Sequence, residues 1–239
     1  MANTLFLRLE GPMQSWGERG QWAVRDSRPE PTKSGIVGLL ACARGMNTDD
    51  ELRQLSQQIR IGVRCDRSGK PLVDYHTIGG GFDEPMLLRA DGIPKKTEKT
   101  GDPHTEISWR TYLHDASFLA AVRADATLIE TLAKKVQNPE WPIYLGRKSC
   151  PLCLFPYAGV GDYASLEEAL MAWGNPAWAL KSVRAVIECL PTEPGAEMRR
   201  DEMLARSRIQ FAPRYARTIE ISAHVPPEEI YALPFSSQA

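Results

Sequence analysis

The chain has 239 residues, 43% of them hydrophobic and 25% charged, and its 29 basic and 30 acidic side chains leave a formal net charge of −1. That composition is ordinary for a globular protein, and it lacks the overall basic excess usual among nucleic-acid-binding domains, so any such binding must come from local charge. No apolar run approaches bilayer length and the N-terminus carries no basic-then-apolar signal, so a cytoplasmic protein without a membrane segment is expected.

Thr4–Leu9 alternates as a first strand, with Leu5, Leu7 and Leu9 on one face. Gly11–Gly17 breaks it, and residues 17–31 form a polar loop carrying Arg19, Arg25 and Arg28. Pro31-Thr32-Lys33-Ser34-Gly35-Ile36-Val37-Gly38-Leu39-Leu40 opens a helix that Arg44-Gly45 ends. Thr32 or Ser34 can cap it, and its free N–H groups and positive dipole end favour an anion. Taken alone, this is a core helix whose glycines serve packing. Beside the other basic segments it becomes an anion cradle.

Asp49 caps a short helix through Gln57, and Ile59, Ile61, Val63 and Cys65 alternate with Arg60 and Arg64 as a second strand with a basic outer face. Residues 66–71 turn the chain, and Leu72–Ile78 returns as a third strand. A strand, a helix, a hairpin and a later helix follow the order of a ferredoxin-like unit, the frame of RNA-recognition modules. From Gly79 to about Ser108 runs a polar excursion, too long for an ordinary connector, expected to project as a hairpin.

Ile107–Leu113 and Ser117–Arg123 read as strands, and Asp125 caps a helix with Leu128, Ile129, Leu132 and Val136 inward. Residues 138–163 read as loop. Ser165–Glu168 is a capping box opening a helix to about Trp173, and Val183–Leu190 is a strand. An arginine-rich polar loop leads to a strand at Thr218–Val225, and the tail beyond Pro226 reads as irregular. The expected fold is α+β: a ferredoxin-like core over residues 1–140 with an insertion at about 79–108, and an irregular, β-rich extension over 141–239 packed on it as one unit.

Five scattered cysteines suit a reducing compartment, and the single CxxC, Cys150–Cys153, lies in a proline-flanked loop with no second ligand pair at zinc spacing. No metal or cofactor site is expected. His76, His104, His114 and His224 sit in no recognised catalytic motif. The alternative that they leave open is a metal-independent endoribonuclease using His76 or His104 with a lysine of the excursion. Binding has more support. Lys33-Ser34-Gly35, Trp109-Arg110, Gly146-Arg147-Lys148-Ser149 and Arg206–Arg217, with Phe211 and Tyr215 inside it, place cations beside glycine, serine or rings. Single-stranded RNA needs that mixture, because bases rest on rings while phosphates meet cations.

Four ordered segments carry a family resemblance: Leu9–Gly17, Pro31–Leu40, Trp109–Phe118 and Tyr144–Leu152. Together they resemble the CasD family, the subunits of type I-E CRISPR Cascade complexes that cap the 5′ end of the guide RNA. The resemblance implies a modified RNA-recognition fold with a hairpin "thumb" formed by residues 79–108, and a non-catalytic role in antiviral defence. It implies as partners the 5′ handle of the guide RNA, the repeated backbone subunit, the large subunit and, indirectly, target double-stranded DNA. Carried over, Gln14, Ser15, Trp16, Lys33, Ser34, Gly35, Arg147 and Lys148 become RNA-contact candidates, joined by Arg25, His104, Trp109 and Arg110 from the basic and aromatic segments.

Overall fold

The computed structural model describes residues 1–18, 20, 23–79, 87–174 and 182–222. His224 and the tail expected to be irregular lie outside them. Four strands make the centre of the molecule: β1 (Thr4–Glu10), β4 (Arg60–Arg67), β7 (Ser117–Arg123) and β8 (Tyr157–Gly161). They lie in the antiparallel order β4-β7-β1-β8. Second, third, first, fourth is the ferredoxin order, with helices α1 (Lys33–Arg44) and α3 (Ala126–Gln137) as its crossovers. β9 (Ser182–Cys189), β11 (Gln210–Ser222) and β10 (Glu197–Ala205) extend the sheet to seven strands beyond β4.

The alternation of β1 sorts the two cores. Leu5, Leu7 and Leu9 join Phe118, Ala120 and Val122 of β7 under α1 and α3. Phe6 faces the other way with Leu119 and Ala121, against Leu166, Ala169 and Leu170 of α4 (Leu166–Ala172). There Phe6 stacks on Trp173 at 4.3 Å and meets Tyr163 edge-on. Among the described residues no helix is long and apolar enough to cross a membrane.

Five expectations change. Leu72–Ile78 does not return against the second strand. It belongs to β5 (Lys70–Gly79), which pairs along its whole length with β6 (Thr105–His114). The edges of β4 are taken by β7 and β9, so residues 66–71 lead out of the sheet into a separate ribbon. Short β2 (Met13–Gln14) and β3 (Val24–Arg25) lie along the other edge of β6, β3 in parallel.

The loop expected over 138–163 contains β8, whose Ala-Gly-Val-Gly composition hides a strand from any alternation test and whose pairing with β1 is bulged between Phe6 and Leu7. The arginine-rich stretch is the β10–β11 hairpin, in which Pro213 falls within the register shift between the Arg199 and Glu202 pairings. The short helix α2 (Asp49–Gln58) is capped by Thr48 in a reciprocal box with Glu51, and Asp49 is its first residue. Finally, the outer face of β4 is not a basic surface, because α4 covers it.

Arg64 on that face is fully buried. Its guanidinium binds the Asp66 carboxylate at 2.6 Å and donates to the carbonyls of Leu170, Trp173 and Gly174 at the end of α4. Asp66 is held from the other side by Arg8. Arg64→Ala leaves Asp66 to Arg8 alone and takes the donor from three carbonyls, so a loss of at least about 1–3 kcal/mol in urea unfolding is expected. A loss near zero would show that water satisfies the site.

Candidate nucleic-acid interface

A groove runs past the N-terminal half of α1, in two chambers of about 540 and 600 Å3 that meet at Ser34, Gly35 and Gly146. Its walls are the loop around Ser15–Glu18, the turn at Gly146–Lys148, and residues of the β10–β11 hairpin.

The loop is set by Gln14. Its side-chain amide donates to the carbonyls of Leu9 and Ala116, and its oxygen accepts the Trp16 indole N–H at 3.0 Å. Trp16 is thereby buried, its ring against the head of α1, where a Cβ on Gly35 would stand 2.7 Å from Trp16 Cε3. Gly35 is glycine so that this ring fits. Ser15 is buried as well, with its hydroxyl donating to the Thr111 carbonyl. Gln14 and Trp16 therefore shape the groove from behind.

Thr32 is the cap of α1, accepting the Gly35 N–H at 3.2 Å. The helix start does hold an anion, and the anion is internal. Asp201 of β10 accepts the Lys33 backbone N–H at 2.7 Å and is gripped by Arg214 of β11 at 2.7 and 2.9 Å. The Lys33 ammonium, with the residue only 2% exposed, lies between Glu188 at 3.1 Å and Glu202 at 2.7 Å. It points into the joint between α1 and the sheet extension, away from solvent. Ser34 stays half-exposed on the groove.

Gly146 has φ of +91°, and a Cβ there would fall 1.7 Å from the Ser15 carbonyl oxygen. Arg147 beside it lies over the Tyr112 ring at 4.7 Å and donates to the carbonyls of Thr111, Arg25 and Asp26. It stitches β3 and β6 to the groove. Lys148 is exposed and lines the second chamber. Arg25 and Arg110 are side by side in the β3–β6 register, and Arg110 Nε donates to Ser108.

Trp109 is on the opposite face of the ribbon, edge-on to Tyr75 at 5.9 Å and 44% exposed. His104 lies farther out with Glu106 and Lys95, and His76 pairs with Asp74 at 3.4 Å. Neither histidine lines the groove. Among the described residues no group of three His, Cys, Asp or Glu side chains is placed to hold a metal ion. The CxxC pair is divided, Cys150 buried and Cys153 exposed, and burial pushes the Cys65 thiol up to about 12.

Of the remaining groove residues, Arg206, Ile209 and Phe211 fall in the arginine-rich cluster and Tyr144 in the fourth family segment, whereas Trp141 and Pro142 of the second chamber and Met203 of the first carried no expectation. A tryptophan between two prolines, five residues before Gly146, was the available signal for Trp141.

The model of the CRISPR-associated protein family Cas_Cas5 matches residues 4–217. This chain belongs to the Cas5 family. The Escherichia coli K12 protein described as "CRISPR system Cascade subunit CasD" is 35% identical over 184 residues, covering 72% of this chain and 77% of that protein. A chain of a "CRISPR RNA-guided surveillance complex" superposes with a TM-score of 0.76 at 29% identity, with 95% of each chain covered. A "Cas protein" crystal structure superposes at 0.66, again 29% identical, over 94% of this chain and all of the other. The mixed α+β architecture described above is the one these Cas structures share.

Two outcomes follow for the groove. Gly146→Ala must move either the Ser15 carbonyl or the turn, so it should lower stability by more than the roughly 1–3 kcal/mol that a left-handed non-glycine residue costs. Urea unfolding reads this, and an unchanged midpoint would contradict the geometry.

At the hairpin tip, the Asp49 carboxylate accepts the Ser207 hydroxyl and the N–H groups of Ser207 and Arg206. The Ser207 hydroxyl and then its N–H hold that carboxyl below its ordinary value. A depressed folded-state pKa means that the tie is fully present above the ordinary carboxylate range and is lost as pH falls through the folded value. Amide protection at Arg206 and Ser207 should therefore fall on acidification, and Asp49→Asn should remove that pH dependence.

Proposed function

We propose that this chain is a non-catalytic, RNA-holding subunit of a Cascade surveillance complex, binding and capping the 5′ handle of the guide RNA in antiviral defence. The observation that carries this reading is the groove: a glycine-lined floor at the head of α1, aromatic side chains on its walls, and Lys148 and Arg206 along it. Rings for bases, cations for phosphates and bare backbone for close approach are what a single strand requires. The relative called a Cascade subunit and the similar chain from an RNA-guided complex support the same assignment. In this reading the protein works in the cytoplasm without a cofactor.

The ribbon β5–β6 carries the candidate thumb, residues 79–108, at its far end, and the two faces of the ribbon suit two kinds of neighbour. Residues in register share a face. One face carries Val24, Val73, Tyr75, Ile107 and Trp109, all at least 39% exposed and none charged. The other carries Arg25, Arg110, Asp74 and His76. An exposed uncharged face supports contact with protein, here the backbone and large Cascade subunits, through which double-stranded target DNA is met indirectly. The arginine face continues toward the groove through Arg147.

Co-expression of the chain with Cascade partners and a CRISPR array, followed by pull-down and RNA sequencing, tests the proposal. Recovered RNA should begin with the repeat-derived handle, and recovery without enrichment of that end would reject it. Purified chain incubated with repeat RNA in EDTA should leave the RNA intact. Specific cleavage that disappears in His76→Ala or His104→Ala would establish the ribonuclease instead.

A further inference from the structure

The two chambers of the groove differ in charge. The first is lined by two arginines, Arg25 and Arg147, and by two carboxylates, Glu18 and Asp26. Arg147 is already engaged by three backbone carbonyls and the Tyr112 ring. Much of the rest of the wall is apolar, from Met203, Ile209 and Phe211 of the hairpin. A phosphodiester placed there would meet balanced charge and lose hydration, which is unfavourable. The second chamber is lined by Lys148 and Arg206 and, among the described residues, by no acidic side chain. Trp141 and Tyr144 stand on the same wall system.

We infer that the groove sorts a single RNA strand by chemistry: the second chamber takes a phosphate on Lys148 and Arg206, and the first takes the adjoining nucleobase against Phe211. This rests on the RNA reading above and deepens it. The junction of the chambers is compatible with such a path, because Gly35 and Gly146 present only backbone where the sugar must cross. The first chamber, at about 540 Å3, admits a base with accompanying water. Ile209 at the hairpin tip has φ of +53° and is 77% exposed, a strained conformation for a β-branched residue. It sets an apolar rim on the chamber that takes the base.

The test uses the full chain and a short single-stranded RNA copied from the 5′ end of the guide recovered in the pull-down, with binding followed by fluorescence anisotropy over a salt series. Lys148→Ala and Arg206→Ala should each weaken binding to every sequence and each reduce the slope of log K against log salt by about 0.7. Phe211→Leu keeps an apolar side chain and removes the ring. It should weaken binding about tenfold and leave the salt slope unchanged. One abasic substitution in the RNA should cost the wild type about the same and cost Phe211→Leu nothing further.

An unchanged slope in both cation variants would overturn the inference. So would a changed slope in Phe211→Leu, or an abasic penalty that persists in it, with the RNA reading still standing. No binding by the wild-type chain at low salt would reject the RNA reading together with this inference.

Discussion

Asp201 accepts the Lys33 backbone N–H and both arms of the Arg214 fork, and through those bonds the β10–β11 hairpin is fixed to the head of α1. Around it Lys33 is held by Glu188 of β9 and Glu202 of β10. Removing one member of such a buried set typically costs about 3–5 kcal/mol, because its partner is left charged and dry. The groove depends on this joint. Its floor belongs to α1 and part of its wall to the hairpin, and this polar contact, with the apolar packing of Met203 and Phe211 and the bonds of Ser56 and Asp49 of α2 to the hairpin, holds the one beside the other.

The same joint explains how a sound sequence argument reached a different end. A capped helix start with glycines and a lysine does attract an anion, and the dipole and N–H geometry were read correctly. What one-dimensional reading could not supply was the competitor. Asp201 stands among Arg199, Arg200 and Glu202 in a segment that read as solvated loop, and only strand pairing with β11 turns its carboxylate inward. Local concentration then decides the occupant: a carboxylate fixed by its own chain outcompetes a diffusing phosphate.

The ferredoxin order was legible because α1 and α3 each bury one periodic face and β1 and β4 alternate in sequence. Leu5, Leu7 and Leu9 are readable at a glance, as are Ile129, Leu132 and Val136. β8 was not legible, since Ala-Gly-Val-Gly has too little side chain to alternate, and β10–β11 was masked by two buried arginines, Arg199 paired with the distant Glu30 and Arg214 paired with Asp201 across the hairpin. Within the site, the motif around Gly146 was visible as glycine followed by two cations. That Arg147 braces backbone while Lys148 faces the groove was not visible, because adjacent identical charges differ only in where the turn aims them.

Gly146 is pressed against the Ser15 carbonyl, and Asp201 completes the head of a helix that begins at Lys33. Both closures join early chain to late chain, across sequence separations that make such contacts slow to form. A polypeptide emerging from synthesis therefore has its leading strand and first helix long before it has a groove. The groove is thereby completed only after translation has passed Arg214.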